Sequence, residues 1–285
     1  KIAASDTRNR RSVWTVTTKP YSGAHFAVMP PDLVEPCIKA GSPEGGTVID
    51  PFAGSGTTLA VAAKLGRNAY GCELNPEYVK LAATLFSVGI GGMSIWLLAS
   101  FHSHDGGFQF VSQHEWIKAW GISWHVGVDG ISLFLVVLTG ILFPLVILGV
   151  DPHHDEKRYL AWLLLLEAGV MGSFLSLDLF LFFIFFEIVL VPMYFLIGGW
   201  GYDQRVYAAT KFFLFTMVGS AFMLVGIIAT AVMAKADNGN VTFDLVKIAE
   251  HGSFATSTGR WLFMSFAIAF AVKVPLFPLH TWLPD

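Results

Sequence analysis

The chain has 285 residues, 54% of them hydrophobic and 14% charged, with a formal net charge of −3. Its two cysteines, Cys37 and Cys72, stand in no metal-like spacing, which excludes a disulfide framework and a cysteine zinc site. The averages hide a seam near Ala83 to Phe86. Residues 1–85 carry nine Lys and Arg against seven Asp and Glu, whereas residues 86–285 carry nine against fourteen and hold nearly all the long apolar runs. The second composition is that of an integral membrane protein. The chain begins at Lys1 with no basic run and cleavage site behind it, so no signal peptide is expected and the start reads as an internal cut.

In the first part, a strand signal at 46–50 runs into Asp50-Pro-Phe-Ala-Gly-Ser-Gly-Thr-Thr58, which opens a helix over 59–65. A second strand is expected over 68–73, and Asn75-Pro-Glu-Tyr78 starts another helix. This is a βαβ unit with a glycine turn after its first strand. Gly54 and Gly56 let the backbone approach a ligand, and the helix start offers unpaired N–H groups. Glu73, at the end of the second strand, can accept both ribose hydroxyls of a nucleoside. The same glycines also serve a plain strand-to-helix turn. Arg8, Arg10 and Arg11 can contact phosphate or form a solvated loop.

The runs 11–21, 25–37, 50–58 and 71–78 together resemble the C-terminal part of DNA methyltransferases acting on exocyclic amino groups (N4-cytosine or N6-adenine). The resemblance implies S-adenosylmethionine held by Asp50, Pro51, Phe52, Gly54, Ser55, Gly56 and Thr57, with Glu73 on its ribose. It also implies that 25–38 is a helix-entry motif lining the cofactor site. That family works on a flipped base with an Asp/Asn/Ser-Pro-Pro-aromatic loop. Pro30-Pro31-Asp32 follows Met29 and lacks the aromatic, so this segment is expected to be inactive, with DNA a partner only of an intact enzyme.

After the seam, six apolar segments are long enough to span a membrane: 84–101, 127–149, 160–176, 179–200, 207–234 and 261–284. The third and fourth form one run too long for a single span, with Ser176 and Asp178 marking a hairpin. Tryptophans 96, 116, 120, 124, 162, 200, 261 and 282 fall mostly near span ends, as interfacial anchors do. The density of Lys157, Arg158 and Arg205 in short loops favours that side as cytoplasmic.

The chemistry is carried by ionisable residues at membrane depth. Glu187 lies mid-span in Leu179-Phe-Leu-Phe-Phe-Ile-Phe-Phe-Glu-Ile-Val-Leu-Val-Pro192 with no partner on its own helix. It must face the protein interior, either protonated or beside an opposite charge. Lys273 is the natural counterpart, well inside the last segment. Pro275 and Pro278 each remove a helical hydrogen bond there, and the carbonyls of Ala271 and Val274 are expected to be freed beside the lysine. Lys211 lies near a span end and either snorkels or functions. His280 either relays protons or caps a carbonyl. For Asp129 and Asp178, at span ends, capping is the better account.

The runs 116–132, 178–197, 208–213 and 269–285 closely resemble the chain M (subunit 4) family of proton-pumping NADH-quinone oxidoreductase, respiratory complex I. The resemblance covers residues 84–285. It implies an antiporter-like membrane subunit in which Glu187 and Lys273 form a coupled proton-translocating pair, Lys211 is a further intramembrane lysine and His280 lies on a broken helix. It implies no cofactor in this part, with other membrane-arm subunits and the lipid bilayer as partners and quinone handled elsewhere in the complex. The family has about fourteen spans in two inverted repeats, so this stretch covers roughly its second to seventh.

The expectation is a chimera: a partial Rossmann-like α/β methyltransferase segment (1–83) preceding a mainly all-α polytopic membrane domain (84–285) of about six transmembrane helices in the bacterial inner membrane. The helical pattern of 78–84 runs into the first span without a linker, so a joined pair of truncated pieces is favoured over a working fusion.

Overall fold

The computed structural model describes residues 29–54, 56–72, 76–234 and 240–283. Ser55, Glu73, the Arg8, Arg10 and Arg11 cluster and the first residues of the 25–38 motif lie outside the described residues. The chain divides into two compact units, residues 1–82 and 83–285.

In the first unit, α1 (Pro31–Gly41) starts on a proline, whose missing N–H costs nothing at a helix entry. The strands β1 (Thr47–Asp50) and β2 (Asn68–Gly71) pair in parallel, with Thr47 opposite Asn68 and Asp50 opposite Gly71. The helix α2 (Thr57–Lys64) connects them. Val34 and Ile38 of α1 pack on Val61 and Ala62 of α2, with Val48, Leu65 and Ala69 beside them. Arg67 ties the crossover back by donating to the Ser42 carbonyl from Nε (3.2 Å) and Nη2 (2.9 Å). The two short strands leave Ile49 and Tyr70 exposed.

The helix α3 (Pro76–Ser100) begins in this unit and supplies the first long apolar helix of the second. Next comes a hairpin that the sequence patterning does not announce, β3 (Gln109–Ile117) antiparallel to β4 (Ile122–Val128). Its connection closes at Gly121, where φ is +67° and a Cβ would collide with the Val241 carbonyl, so only glycine fits. The helices α4 (Ser132–Gly149), α5 (Glu156–Leu175), α6 (Leu179–Ile188), α7 (Leu190–Trp200), α8 (Arg205–Ala234), α9 (Leu245–His251) and α10 (Thr256–Lys273) complete the unit.

Among the described residues, five helices are long and apolar enough to cross a membrane: Glu77–Ser100, Ser132–Gly149, Glu156–Leu175, Leu179–Trp200 and Arg205–Ala234. The sixth expected segment, 261–284, is not among these five. The stretch 261–284 is not one helix, because α10 stops at Lys273 and hydrogen-bonded turns follow. Pro275 forbids helix at Val274, and Pro278 prevents its resumption. The second span also starts later than 127, because 122–128 is strand. Between 17% and 39% of each span's apolar window is buried within the chain, so most of their apolar surface is left for partners outside it.

Small residues set the helix contacts. Gly91 of α3 abuts the Gly140 backbone of α4, Gly172 of α5 abuts the Phe185 ring of α6, and Gly219 of α8 leaves a Cβ position 3.1 Å from Val272 of α10. One core gathers Ile122, Met223, Ile227, Ala231, Phe243 and Ala269 under Leu179, Phe180, Phe182, Phe183 and Phe186.

One end of the unit is knitted by short backbone pairings. Leu177 N donates to His125 O and Leu245 N to Leu177 O, each at 2.8 Å, while Leu179 N donates to Phe243 O at 2.8 Å. Asp178, fully buried, caps α6 by accepting from Phe180 N (2.9 Å) and Leu181 N (3.2 Å). It also accepts from Ser123 N (2.9 Å) and Ser123 Oγ (3.3 Å). Burial pushes its carboxyl above the ordinary range and these donors pull against that rise. Asp129 caps α4 through Ser132 N (2.7 Å) and Ile131 N (3.1 Å), and those donors hold its carboxyl below the ordinary range.

Two predictions follow from the capping. Asp178→Ala strands four donors in a buried place and should cost about 2–4 kcal/mol of stability; a melting temperature unchanged in detergent would refute the bridging role. Asp129 has a depressed native pKa, so its contribution is present above the ordinary carboxylate range and lost on acidification through the native value. Asp129→Asn should therefore flatten the acid limb of a pH-stability profile, and an identical limb in wild type and variant would count against it.

Candidate functional site

The glycine turn of the first unit has the backbone that its sequence requires. Gly54 (φ +55°) and Gly56 (φ +82°) both lie in the left-handed region, and Gly56 caps α2 without a side chain. Asp50, the last residue of β1, accepts from Phe52 N at 3.0 Å, which folds Pro51 and Phe52 into a tight turn with the Phe52 ring exposed. Ala53 N and Cys72 N exchange bonds with Cys72 O and Asp50 O at 2.9 Å, so the turn stays pinned to the end of β2. Thr57 opens α2 directly behind it.

In the second unit the site forms where the broken end of α10 meets the Glu187 stretch of the span Leu179–Trp200. Around Val189, two residues after Glu187, the helix carries on with helical angles (φ −58°, ψ −31°) and long bonds: Val189 N donates to Phe185 O at 3.3 Å and Met193 N to Val189 O at 3.4 Å. The one bond missing is to the Ile188 carbonyl, because Pro192 has no N–H for it and its ring crowds that group. Across from this stretch, Lys273 ends α10. Its Nζ donates to the Phe186 carbonyl at 3.0 Å and lies 3.1 Å from the Phe186 ring centroid. The ammonium is thus met by a carbonyl dipole and a ring face next to Glu187.

Glu187 interacts with Lys273 through space and with the Ser220 side chain of α8, and its Oε1 is buried without a hydrogen-bond partner. No ion pair within 4.0 Å joins Glu187 to Lys273. Ser220 Oγ donates to the Thr216 carbonyl at 2.9 Å, and turning its one hydrogen toward Glu187 would give up that bond. A hydroxyl can donate to an ionised carboxylate or accept from a neutral one, so Ser220 suits either protonation state of Glu187.

The broken end of α10 does not carry the bare carbonyls expected of it. Ala271 O accepts from Leu276 N at 2.9 Å, Phe270 O from Val274 N at 2.7 Å, and Val272 O from Trp282 Nε1 at 2.9 Å. The chain turns back on the helix end and takes these three carbonyls, so the expectation of a freed Ala271 carbonyl is corrected. Trp282 also packs edge-on against Phe212 of α8, next to Lys211. His280 stacks on Phe277 (5.6 Å between centroids), and its Nδ1 is buried without a hydrogen-bond partner.

Lys211 lies nine residues before Ser220, about 13 Å along α8, with its Nζ 5.7 Å from the Tyr207 ring. Glu187, Lys273 and Ser220 therefore form one cluster; Lys211 lies along α8 from it, and His280 lies in the turns that follow α10. A cavity of about 340 Å³ lined by His154, Arg158, Trp162 and Trp200 lies at the far end of α7 from Glu187.

Sequence reasoning does not single out Ser220 or Phe186, whose parts follow from the way α8 and α10 pack. It also passes over Glu167, a fully buried carboxylate in α5. An acidic residue inside Leu163-Leu-Leu-Leu-Glu-Ala-Gly169 is itself a signal of function, and that rule alone would have found it.

Comparison with known proteins separates the two parts of the chain. Residues 3–84 match the DNA methylase family, and residues 176–285 match the family described as NADH:quinone oxidoreductase/Mrp antiporter, TM. NADH-quinone oxidoreductase subunit M of Rickettsia felis is 43% identical over 211 residues, covering 73% of this chain and 42% of the relative. The same subunit of Rhodobacter capsulatus is 41% identical over 246 residues, covering 80% of this chain and 46% of the relative. A chain of respiratory complex I from Thermus thermophilus with bound NADH superposes with a TM-score of 0.63 at 32% identity, over 73% of this chain and 44% of that one. An Mrp complex chain from a Dietzia species shares the fold at TM-score 0.61 and 17% identity, over 72% of this chain and 22% of that one. The chain spans less than half the length of the curated relatives it matches. Its homologues and its apolar helices mark it as a multi-pass protein of the bacterial inner membrane.

The Lys273–Phe186 contact is open to direct measurement. Phe186→Leu keeps most of the side-chain volume and removes the ring face. In a double-mutant cycle with Lys273→Met it should show a coupling of about 1–2 kcal/mol, and strict additivity would mean the ring does not hold the ammonium.

Proposed function

We propose that residues 84–285 are part of the proton-translocating membrane subunit M of an NADH-quinone oxidoreductase, with Glu187 and Lys273 as its proton-exchanging pair. The observation that carries this reading is the placing of a carboxylate inside one membrane helix beside an ammonium at the broken end of another. Irregular backbone at that depth is tolerated where it lines a protein or water pathway. In this reading, quinone reduction elsewhere in the complex shifts charge along the membrane arm. The shift alternately favours a charged Glu187 facing Lys273 and a Lys273 that hands its proton onward. Ser220 supports both states of Glu187, and Lys211 and His280 continue the proton path. The partners are the other membrane-arm subunits and lipid. This part needs no cofactor of its own.

The test is made in the full-length subunit within its assembled complex. Glu187→Ala or Lys273→Ala should abolish NADH oxidation coupled to pumping while the subunit stays in the complex on blue-native gels. Coupled activity at the wild-type level in either variant would sink the reading.

A second reading attaches to the first part, favoured by the match of residues 3–84 to the DNA methylase family. Residues 1–83 would be a partial Rossmann-like methyltransferase segment that binds S-adenosylmethionine. Asp50, Pro51, Phe52, Gly54, Ser55, Gly56 and Thr57 would cradle the cofactor, with Glu73 on its ribose. Lacking a Pro-Pro-aromatic loop, it would bind cofactor without methylating DNA. Equilibrium dialysis of labelled S-adenosylmethionine against the chain should show binding that Gly54→Val removes; equal retention by both would exclude the site.

A further inference from the structure

Glu167 is fully exposure-free on α5, and its Oε1 lies 2.9 Å from the Oγ of Ser87 on α3, a residue that is itself fully buried. Its other oxygen, Oε2, is buried with no hydrogen-bond partner. Among the described residues no other charge meets it, and burial and the Ser87 hydroxyl are the influences that act on the group. From Ala83 to Ser100, α3 has no ionisable side chain, and neither does α4; α5 has none beyond Tyr159 except Glu167 itself. On α6 and α7 the titratable groups are Glu187 and Tyr194.

An ionised carboxylate in such a place would keep one oxygen buried and unpartnered among apolar helices, which is strongly unfavourable. A neutral carboxyl fits better. Ser87 donates to Oε1, and the Oε2 hydroxyl is left as a donor awaiting an acceptor. Depth supplies a second argument. Glu167 lies eight residues before the end of α5 at Leu175, and Glu187 lies eight residues after the start of α6 at Leu179. Both carboxyls are therefore about 12 Å from the shared hairpin at Ser176–Asp178. The helices touch at this level, since a Cβ on Gly169 would lie 3.0 Å from Val189. Glu167 is about 200° around α5 from Gly169, so it faces away from α6 and toward α3.

We infer that Glu167 is a second proton-binding carboxyl of the membrane unit, level with Glu187 on the opposite side of α5. The Oε2–H bond breaks as water enters between α3 and α5 and takes the proton. The carboxylate left behind keeps the Ser87 hydroxyl as donor, and return of a proton to Oε2 restores the neutral group. The inference rests on the reading that residues 84–285 work in a proton-translocating subunit.

The experiment pairs two readouts on the assembled complex with the full-length subunit. Infrared spectra in H2O and D2O should contain a deuterium-sensitive protonated-carboxyl C=O band that Glu167→Gln removes and Ser87→Ala shifts. Coupled turnover should fall about tenfold or more in Glu167→Gln, with a changed pH profile, and Glu167→Asp should recover part of it. Turnover within twofold of wild type in Glu167→Gln overturns the inference, whatever the spectrum contains. If Glu167→Gln fails to assemble, Ser87→Ala decides: an unshifted band with normal turnover also overturns it. Glu187→Gln is measured alongside. Normal turnover there removes the underlying reading, whereas loss there with normal Glu167→Gln removes this inference alone.

Discussion

A helix can stop inside a membrane only if protein groups or a water-filled cavity take its last carbonyls, and that constraint organises the second unit. The turn after α10 does this with its own backbone and one indole: Val274 N, Leu276 N and Trp282 Nε1 take Phe270 O, Ala271 O and Val272 O. Lys273, the terminal residue of the helix, is thereby freed from capping its own helix. Its ammonium reaches across to the Phe186 carbonyl and ring instead. A cation at a helix C-terminus is also favourable to the helix dipole, so the position suits the lysine twice. Without that turn, the lysine would be one of several unmet polar groups and would have no fixed address.

The address itself is set from the other end of the helices. Asp178 fixes the start of α6 against Ser123 of β4, and the pairings through Leu177, Phe243 and Leu245 bind three separate chain segments into one edge. Asp244 repeats the device for α9, accepting from Val246 N and Lys247 N and receiving Gln113 Nε2 at 3.1 Å. Eight residues of helix then carry that fixed end to Glu187. A carboxylate in hydrocarbon is useful only if its height is certain, and here the height follows from hydrogen bonds outside the apolar zone.

Much of this is legible in the sequence and some is not, for physical reasons. The glycine turn is legible because positive φ at Gly54 and Gly56 has a residue signature. The hairpin at Ser176–Asp178 is legible because no single helix of that length fits a bilayer. The prolines correctly announce where α10 ends, yet nothing in their spacing tells which group takes the carbonyls; that depends on where Trp282 lands. The β3–β4 hairpin escapes notice because β3 is exposed along nearly its whole length and so has no apolar alternation to read. Glu187 and Lys273 stand out as lone charges in apolar runs. That the lysine addresses the backbone of Phe186 and not the carboxylate itself is a fact of packing alone.

That last detail bears on how the proposed pair would work. A tight, bidentate ion pair in a low dielectric is a trap, because each charge is stabilised by the other and neither proton moves cheaply. Holding Lys273 on a neutral carbonyl and a ring face, with Glu187 close but outside ion-pair contact, lowers the cost of neutralising either one. Ser220 can then follow a change of state at Glu187 by exchanging the roles of donor and acceptor, without any helix having to move. The same logic extends to Ser87 and Glu167. In both places a serine on a neighbouring helix, not a counter-charge, accompanies the buried carboxyl, and a hydroxyl is the one small side chain equally at home with both protonation states.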